Sequence, residues 1–327
     1  MTGPVRVGVL GCAGIARRRM LPAFRACPDT ELVAVASRDE AKARATAREF
    51  GCAAVRGYPA LLERGDIDAV YVPLPAALHA TWTEAALRAG KHVLAEKPLT
   101  TEPASTEALA ALAASGGLAL MENVMFVHHP QHAVVRRLLA DGAIGEVRAF
   151  HAAFTVPRLP DGDIRHDPAL GGGALWDTGV YPVRAALHLL GEDLRVAGSL
   201  LVPGGPGDAV DIAGTALLRT ARGAGAHLTF GLDHAYRSSY EIWGSEGSLT
   251  VDRAFTPPAD HVPRIRLARR TGTEEITTGP DDQVLRTVTA FARAVRDGAP
   301  LEPASLRQAA LLDELARRAP DARVPAR

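Results

Sequence analysis

Six short apolar runs punctuate the first 122 residues: Val5–Leu10, Leu32–Ala36, Ala53–Arg56, Ala69–Pro73, Val93–Glu96 and Leu118–Met121. Amphipathic stretches of helical period separate most of them. Runs of this length and β-branched content read as strands, and intervening helices of that size are what parallel neighbours need, since a tight turn cannot join them. The pattern predicts an α/β unit with a Rossmann-type parallel sheet over residues 1–122. In such sheets ligands bind outside the carboxyl ends of the strands, so the residues that follow each run carry most of the functional information.

The first run leads into Gly11-Cys12-Ala13-Gly14-Ile15-Ala16. A glycine-rich turn between a strand and a helix is the setting of a dinucleotide fingerprint, with the pyrophosphate facing the helix N-terminus. Gly11 supplies the tight turn, Ala13 stands where the second glycine lets the backbone approach the phosphates, Gly14 restores room, and Ala16 holds the third place. At the end of the second run an acid would bind a ribose 2′-hydroxyl. Ser37 stands there instead, followed by Arg38, whose planar fork suits a 2′-phosphate, so NADP(H) is the expected cofactor. Asp39 suits a helix cap. Pro73 and Leu74 are expected to wall the nicotinamide side, and His79, in the first turn of the next helix, is assigned to the cofactor rather than to catalysis. The fifth run ends at Glu96-Lys97-Pro98. Proline excludes the helical region for the residue before it, so Lys97 is extended at the strand's carboxyl end. Its residues alone leave two readings open, a solvated strand end or a ligand-facing cation.

Size and charge narrow the partners. At 327 residues the chain has room for two domains, and with 37 basic against 37 acidic side chains it carries no overall attraction for nucleic acid or an anionic membrane. A small-molecule ligand is expected. Cys12, Cys27 and Cys52 lack metal-type spacing, no N-terminal segment has the order of a signal peptide, and no apolar run reaches the ~20 residues of a membrane span. These features point to a reducing, cytoplasmic setting.

A second domain, 123–327, is expected to be α+β. After a helix over Gln131–Ala140, alternating or apolar runs at Arg148–Val156, Arg195–Val202, Ala213–Leu218, Ala226–Leu232, Tyr240–Trp243, Ser248–Val251 and Ile265–Ala268 predict a large, mainly antiparallel, open-faced sheet. Helices over Val284–Arg296 and Leu306–Arg317 follow, and the Pro-rich tail is expected to fray. An open sheet leaves a face needing cover, which predicts a homo-oligomer through the C-terminal sheet. His128, His129 and His132 have no nearby carboxylate or thiol to complete a metal set, and no metal is expected. Within this domain Gly171-Gly172-Gly173 runs into a helix bearing Asp177 and Tyr181, four apart and therefore on one face.

The fingerprint, Glu96-Lys97-Pro98 and the glycine triplet with Asp177 together resemble the glucose-fructose oxidoreductase, inositol dehydrogenase and rhizopine catabolism superfamily along nearly the whole chain. The resemblance implies that Lys97 is catalytic. Many members have histidine where this chain has Tyr181, and the tyrosine form is similar to sugar ketoreductases, glucose-fructose oxidoreductase and dihydrodiol dehydrogenases rather than to inositol dehydrogenases. The stretches Met121-Glu122-Asn123, Gly162-Asp163-Ile164-Arg165 and Phe255-Thr256-Pro257-Pro258 look like the C-3 ketoreductases of deoxysugar pathways in antibiotic biosynthesis, which reduce a dTDP-linked 3,4-diketo-2,6-dideoxyhexose with NADPH. On that footing Tyr181 is expected to give the proton and Lys97 to meet the developing oxyanion, with the reverse assignment open. Asp177 is expected to orient a sugar hydroxyl or Lys97, and Arg165 to hold the diphosphate. Asn123 and Tyr236 are further expected substrate contacts. Rival expectations are an NADP-dependent dehydrogenase of free sugars or dihydrodiols and a non-catalytic cofactor sensor, against which the pairing of Lys97 with Tyr181 counts.

Overall fold

The structure, a computed structural model, describes residues 3–204, 207 and 209–319; most of the tail expected to fray lies outside the described residues. The chain forms two compact units, one running to Met125 and joined by Gln283–Leu306, the other comprising Phe126–Asp282 and the chain from Arg307.

The first unit carries strands β1 (Val5–Leu10), β2 (Thr30–Ser37), β3 (Ala53–Arg56), β4 (Ala69–Val72), β5 (His92–Glu96) and β6 (Leu120–Asn123), and helices α1 (Leu21–Ala26), α2 (Glu40–Phe50), α3 (Tyr58–Leu62), α4 (His79–Arg88) and α5 (Pro103–Ser115). The strands are all parallel in the order β3-β2-β1-β4-β5-β6, so strand order reverses between β1 and β4, the crevice where dinucleotides bind such sheets. One face packs Val5, Val7, Val9, Tyr71 and Leu94 against Met20 and Phe24 and against Val284, Val288, Phe291 and Val295. The last four form one stripe of a helix over Gln283–Asp297. That helix was expected in the second domain. It covers the first sheet instead, because a stripe of that period matches the apolar face that α1 leaves partly bare. The other face packs Val70, Val72 and Val93 against Leu61, Leu87 and Leu109.

The second unit begins with α6 (Pro130–Ala140), β7 (Val147–Thr155) and α7 (Val180–Leu190) and continues through β8 (Leu194–Gly204), β9 (Val210–Thr220), β10 (Gly225–Gly231), β11 (Arg237–Gly244), β12 (Gly247–Asp252), β13 (Arg264–Arg269) and β14 (Gly272–Thr277). The helices over Gln283–Asp297 and Pro303–Arg318 are α8 and α9. Eight strands form one sheet, β14-β13-β12-β11-β7-β10-β9-β8, antiparallel except for the β7–β10 pair. Phe150, Phe154, Leu228, Phe230, Tyr240 and Ile242 are buried on one face. Register places Leu200, Val202, Leu217 and Trp243 together on the other, where all four are exposed. No helix among the described residues is long and apolar enough to cross a membrane.

Candidate active site

In the first unit the turn after β1 is shaped around Gly11. Its φ of 128° lies in a region that L side chains rarely adopt, and a Cβ there would come within 3.1 Å of Leu74 Cδ2. Helical winding begins at Gly14 and takes the wider π form over Ala16–Met20 before α1, so the first amides are presented at the turn. A Cβ on Gly14 would stand 3.2 Å from an Arg18 guanidinium nitrogen, which places that cation over the turn. Ser37 is buried and accepts the Asp39 N–H at 3.2 Å, while Asp39 caps α2 by accepting from the N–H groups of Ala41 and Lys42 at 2.9 and 3.2 Å. Arg38 is exposed, and its charge lies beside the Tyr58 hydroxyl. Burial pushes the Tyr58 hydroxyl up, and the charge of Arg38 opposes that shift. The Tyr58 oxygen lies 3.8 Å from where a Gly11 Cβ would be, so Tyr58 ties Arg38 to the fingerprint. Sequence reasoning missed Tyr58; its signal was its place directly after β3, the strand beside β2. A bared turn, a buried serine in place of the acid and an exposed arginine together fit a dinucleotide bearing a 2′-phosphate.

Lys97 follows β5 and is joined to Pro98 by a cis peptide bond. Buried Glu96 accepts from the Tyr71 hydroxyl at 2.5 Å and from Asn123 Nδ2 at 2.6 Å. Glu122, also buried, accepts the Leu99 N–H at 2.9 Å. Two expectations are corrected here. Asn123 was expected to touch substrate, but it is 1% exposed and its amide anchors Glu96. His79 was assigned to the cofactor, but it is also 1% exposed, with Nδ1 at 2.7 Å from the Pro98 carbonyl and Nε2 at 2.6 Å from the Leu74 carbonyl. Its ring bridges the turn after β4 to the turn after β5 and so steadies the backbone beside Lys97. Burial holds the imidazole below its ordinary range despite the two carbonyls, which favour the proton.

In the second unit Asp177 and Tyr181 are carried by a continuous helix, wound as π over Leu175–Gly179 and as α from Val180. Single π turns inside helices recur at functional sites. Both residues are half-buried. The Tyr181 ring is held by Phe126, Phe154 and Phe255, with centroids at 6.2, 4.5 and 5.8 Å. Arg165 Nε donates to Asp177 Oδ2 at 2.7 Å and its Nη1 to Asp163 Oδ1 at 3.1 Å. Asp177, with Asp163, pushes the guanidinium pKa further up. Two carboxylates pair with Arg165 and its fork holds Asp177 in place, while its side chain stays 39% exposed. Asp163 was not singled out from the sequence, although its spacing in Asp163-Ile164-Arg165 was in view. Tyr236 is exposed, pairs with the Thr256 hydroxyl at 3.0 Å and lies under Arg253, whose guanidinium carbon is 5.1 Å from the ring centroid.

The histidines near Phe126 serve the core of this unit. His132 engages the Tyr240 hydroxyl at 2.9 Å and the Ala254 carbonyl at 3.0 Å, and His129 accepts the Gln131 N–H at 3.2 Å. No group of three His, Cys, Asp or Glu among the described residues is placed to hold a metal ion.

These two sets of residues match known proteins along the chain. An oxidoreductase family with an NAD-binding Rossmann fold, GFO_IDH_MocA, matches residues 5–124, and the GFO/IDH/MocA C-terminal domain matches residues 132–250. The chain is 57% identical over 297 residues to a dTDP-3,4-didehydro-2,6-dideoxy-alpha-D-glucose 3-reductase of Streptomyces violaceoruber, covering 89% of this chain and 85% of the relative. It is 53% identical over 313 residues to a protein of the same description from Actinomadura kijaniata, covering 95% and 94%. The crystal structure of a 3-ketoreductase from Actinomadura kijaniata in complex with NADP and TDP-benzene is similar to it with a TM-score of 0.94 at 51% identity, covering 97% of this chain and 98% of that one.

Proposed function

The chain belongs to the GFO/IDH/MocA oxidoreductase family, and we propose that within it the protein is an NADPH-dependent reductase of the C-3 ketone of a dTDP-linked 3,4-diketo-2,6-dideoxyhexose, acting in deoxysugar biosynthesis. The observation that carries this reading is the likeness, over 89% of the chain, to a 3-reductase of that substrate class. Arg38 with Tyr58, and Ser37 in place of an acid, support NADPH as the reductant.

Bound NADPH supplies the hydride to the C-3 carbonyl carbon. As that bond forms, negative charge grows on the carbonyl oxygen, and a proton and a positive charge must meet it. Tyr181 supplies the proton. Its ring is locked among three phenyl groups, so the hydroxyl has a fixed line of approach. Lys97 supplies the charge, placed directly after β5 on a turn that His79 steadies. Asp177, turned by Arg165, orients a sugar hydroxyl. Tyr236 is a further substrate contact, supported by its exposed ring.

The reaction is placed in the cytoplasm, a reading supported by three unpaired cysteines. The subunit assembles as a homo-oligomer through the open face of the second sheet; the support is the exposure on that face of Leu200, Val202, Leu217 and Trp243, each at least 39% exposed. Sedimentation of the purified protein measures that assembly. The chemical reading is tested with purified protein, the dTDP-diketosugar and NADPH deuterated at the transferred position of C4. Loss of NADPH absorbance with deuterium at C-3 of the product is expected. Oxidation of free sugars by NADP⁺ without turnover of the nucleotide sugar would reassign the substrate, and binding of NADPH without any turnover would revive the sensor.

A further inference from the structure

The helix that bears Asp177 and Tyr181 lacks a cap of its own. Winding begins at Ala174, so Gly173 occupies the position whose side chain ordinarily accepts the first unpaired N–H groups, and glycine has none to offer. The acceptor arrives from β9. Asp211 Oδ2 accepts the Leu175 N–H at 2.7 Å, and the Ala174 amide lies beside the same carboxylate. Its other oxygen, Oδ1, stands against the place where a Cβ on residue 173 would be, and Gly173 has φ 118°. Glycine and carboxylate therefore require each other. A side chain at 173 would expel the carboxylate, and loss of the carboxylate would leave buried amides without an acceptor.

The turn so capped is the one that carries the proposed chemistry. Asp177 N–H donates to the Gly173 carbonyl at 3.1 Å, which closes the first turn directly over the cap. The winding from Leu175 to Gly179 is π, a form seldom adopted and dependent on its surroundings for its geometry. Tyr181 follows at the start of α7. We propose that Asp211 is a positioning residue, a helix cap supplied from another strand that sets the direction of Asp177 and Tyr181. The inference rests on the roles given to those two residues above.

Three variants test it: Asp211→Ala, which removes both acceptors; Asp211→Asn, which keeps one oxygen for the Leu175 N–H; and Gly173→Ala, which displaces the carboxylate. Turnover of the dTDP-diketosugar is normalised to NADPH-binding sites counted by fluorescence titration, so that unfolded protein does not enter the rate. Asp211→Ala is expected to lower kcat by about 10- to 100-fold, the scale of a misplacement of about 1 Å, with Kd for NADPH unchanged. Asp211→Asn should recover most of that loss. Gly173→Ala should cost at least as much as Asp211→Ala, since it displaces the carboxylate and also strains a backbone at φ 118°, and the double variant should be no worse than Gly173→Ala alone, since both break one device. Wild-type kcat per binding site in Asp211→Ala, or multiplicative losses in the double variant, overturns the inference. If Asp211→Ala yields no folded protein, Asp211→Asn and Asp211→Ser decide by the same normalised kcat. A wild-type enzyme that binds NADPH but turns over no nucleotide sugar overturns the proposed function, and this inference with it.

Discussion

Replacing Tyr181 by phenylalanine separates chemistry from packing. The ring touches Phe126, Phe154 and Phe255, contacts that a phenyl group keeps, so the variant should hold the same position with only the hydroxyl missing. Loss of one partly buried hydroxyl interaction costs about 1 kcal/mol, which for a unit of this size lowers Tm by about 2–4 °C. Loss of a positioned proton donor costs about 10²- to 10⁴-fold in rate, equivalent to about 2.7–5.4 kcal/mol on the activation barrier. The second effect exceeds the first severalfold and appears in a different measurement. Single-turnover oxidation of NADPH should therefore slow by at least about a hundredfold, while the melting curve moves by a few degrees and Kd for NADPH stays constant. A kcat within about threefold of wild type would refute the assignment and transfer the proton to Lys97, in which case Lys97→Met should show the large loss.

Other consequences concern the cofactor, the turn beside Lys97 and acid stability. Arg38→Ala should weaken NADPH binding by about 10- to 100-fold, the worth of a charge-assisted hydrogen bond, and leave NADH binding unchanged; equal losses for both cofactors in calorimetric titration would remove Arg38 from the 2′-phosphate. His79→Leu removes the one N–H that the neutral imidazole donates to the Leu74 or Pro98 carbonyl, at about 1–3 kcal/mol. Its Tm should fall by at least about 2 °C, and an unchanged Tm would show that the bridge is not structural. In the second unit burial pushes His132 down to about 3 and His128 and His188 each to about 4. The unfolded chain then binds protons that the folded one refuses once pH drops below about 6.5. Their contribution is fully present above that pH and is lost as pH falls towards 4, at up to about 1.4 kcal/mol per pH unit for each histidine. Urea midpoints should accordingly fall steeply between about pH 6.5 and 4, and a flat profile there would contradict the burial of these rings.

Elements were legible in the sequence where one periodicity ran uninterrupted and hidden where it did not. β4 and the middle of β5, Ala-Val-Tyr-Val and Val-Leu-Ala, are continuous apolar runs because a central parallel strand is buried on both faces. α3, five residues over Tyr58–Leu62, is too short to complete an amphipathic stripe, and β14, Gly-Thr-Glu-Glu-Ile-Thr, is the polar edge of its sheet. The stripe of α8 announced an apolar face but not its partner, which is why the helix was expected in the wrong unit. Sites divided along the same line. The place of Lys97 at the end of β5 was legible because the apolar run stops there, whereas the partners of Arg165, His79 and Asn123 depend on which groups the fold brings to them. The ion pairs of Arg165 with Asp163 and Asp177 are of this kind, since nothing in the local sequence announces them.

In the fold Gly172 and Gly173 mark close approach. A Cβ on Gly172 would meet the Arg165 and Asp167 carbonyl oxygens at 2.5 and 2.8 Å, and one on Gly173 would meet the Asp211 carboxylate. The Gly173 N–H donates to the Arg165 carbonyl at 2.9 Å, while the Arg165 guanidinium binds Asp177, so the loop is joined to the helix at both its backbone and its side chain. Glycine is needed here because the neighbouring groups are already in contact. A segment packed this closely has few ways to move. Changing either glycine should therefore act on the direction of Asp177 and Tyr181, the property on which the proposed proton transfer depends, and much less on the affinity for NADPH.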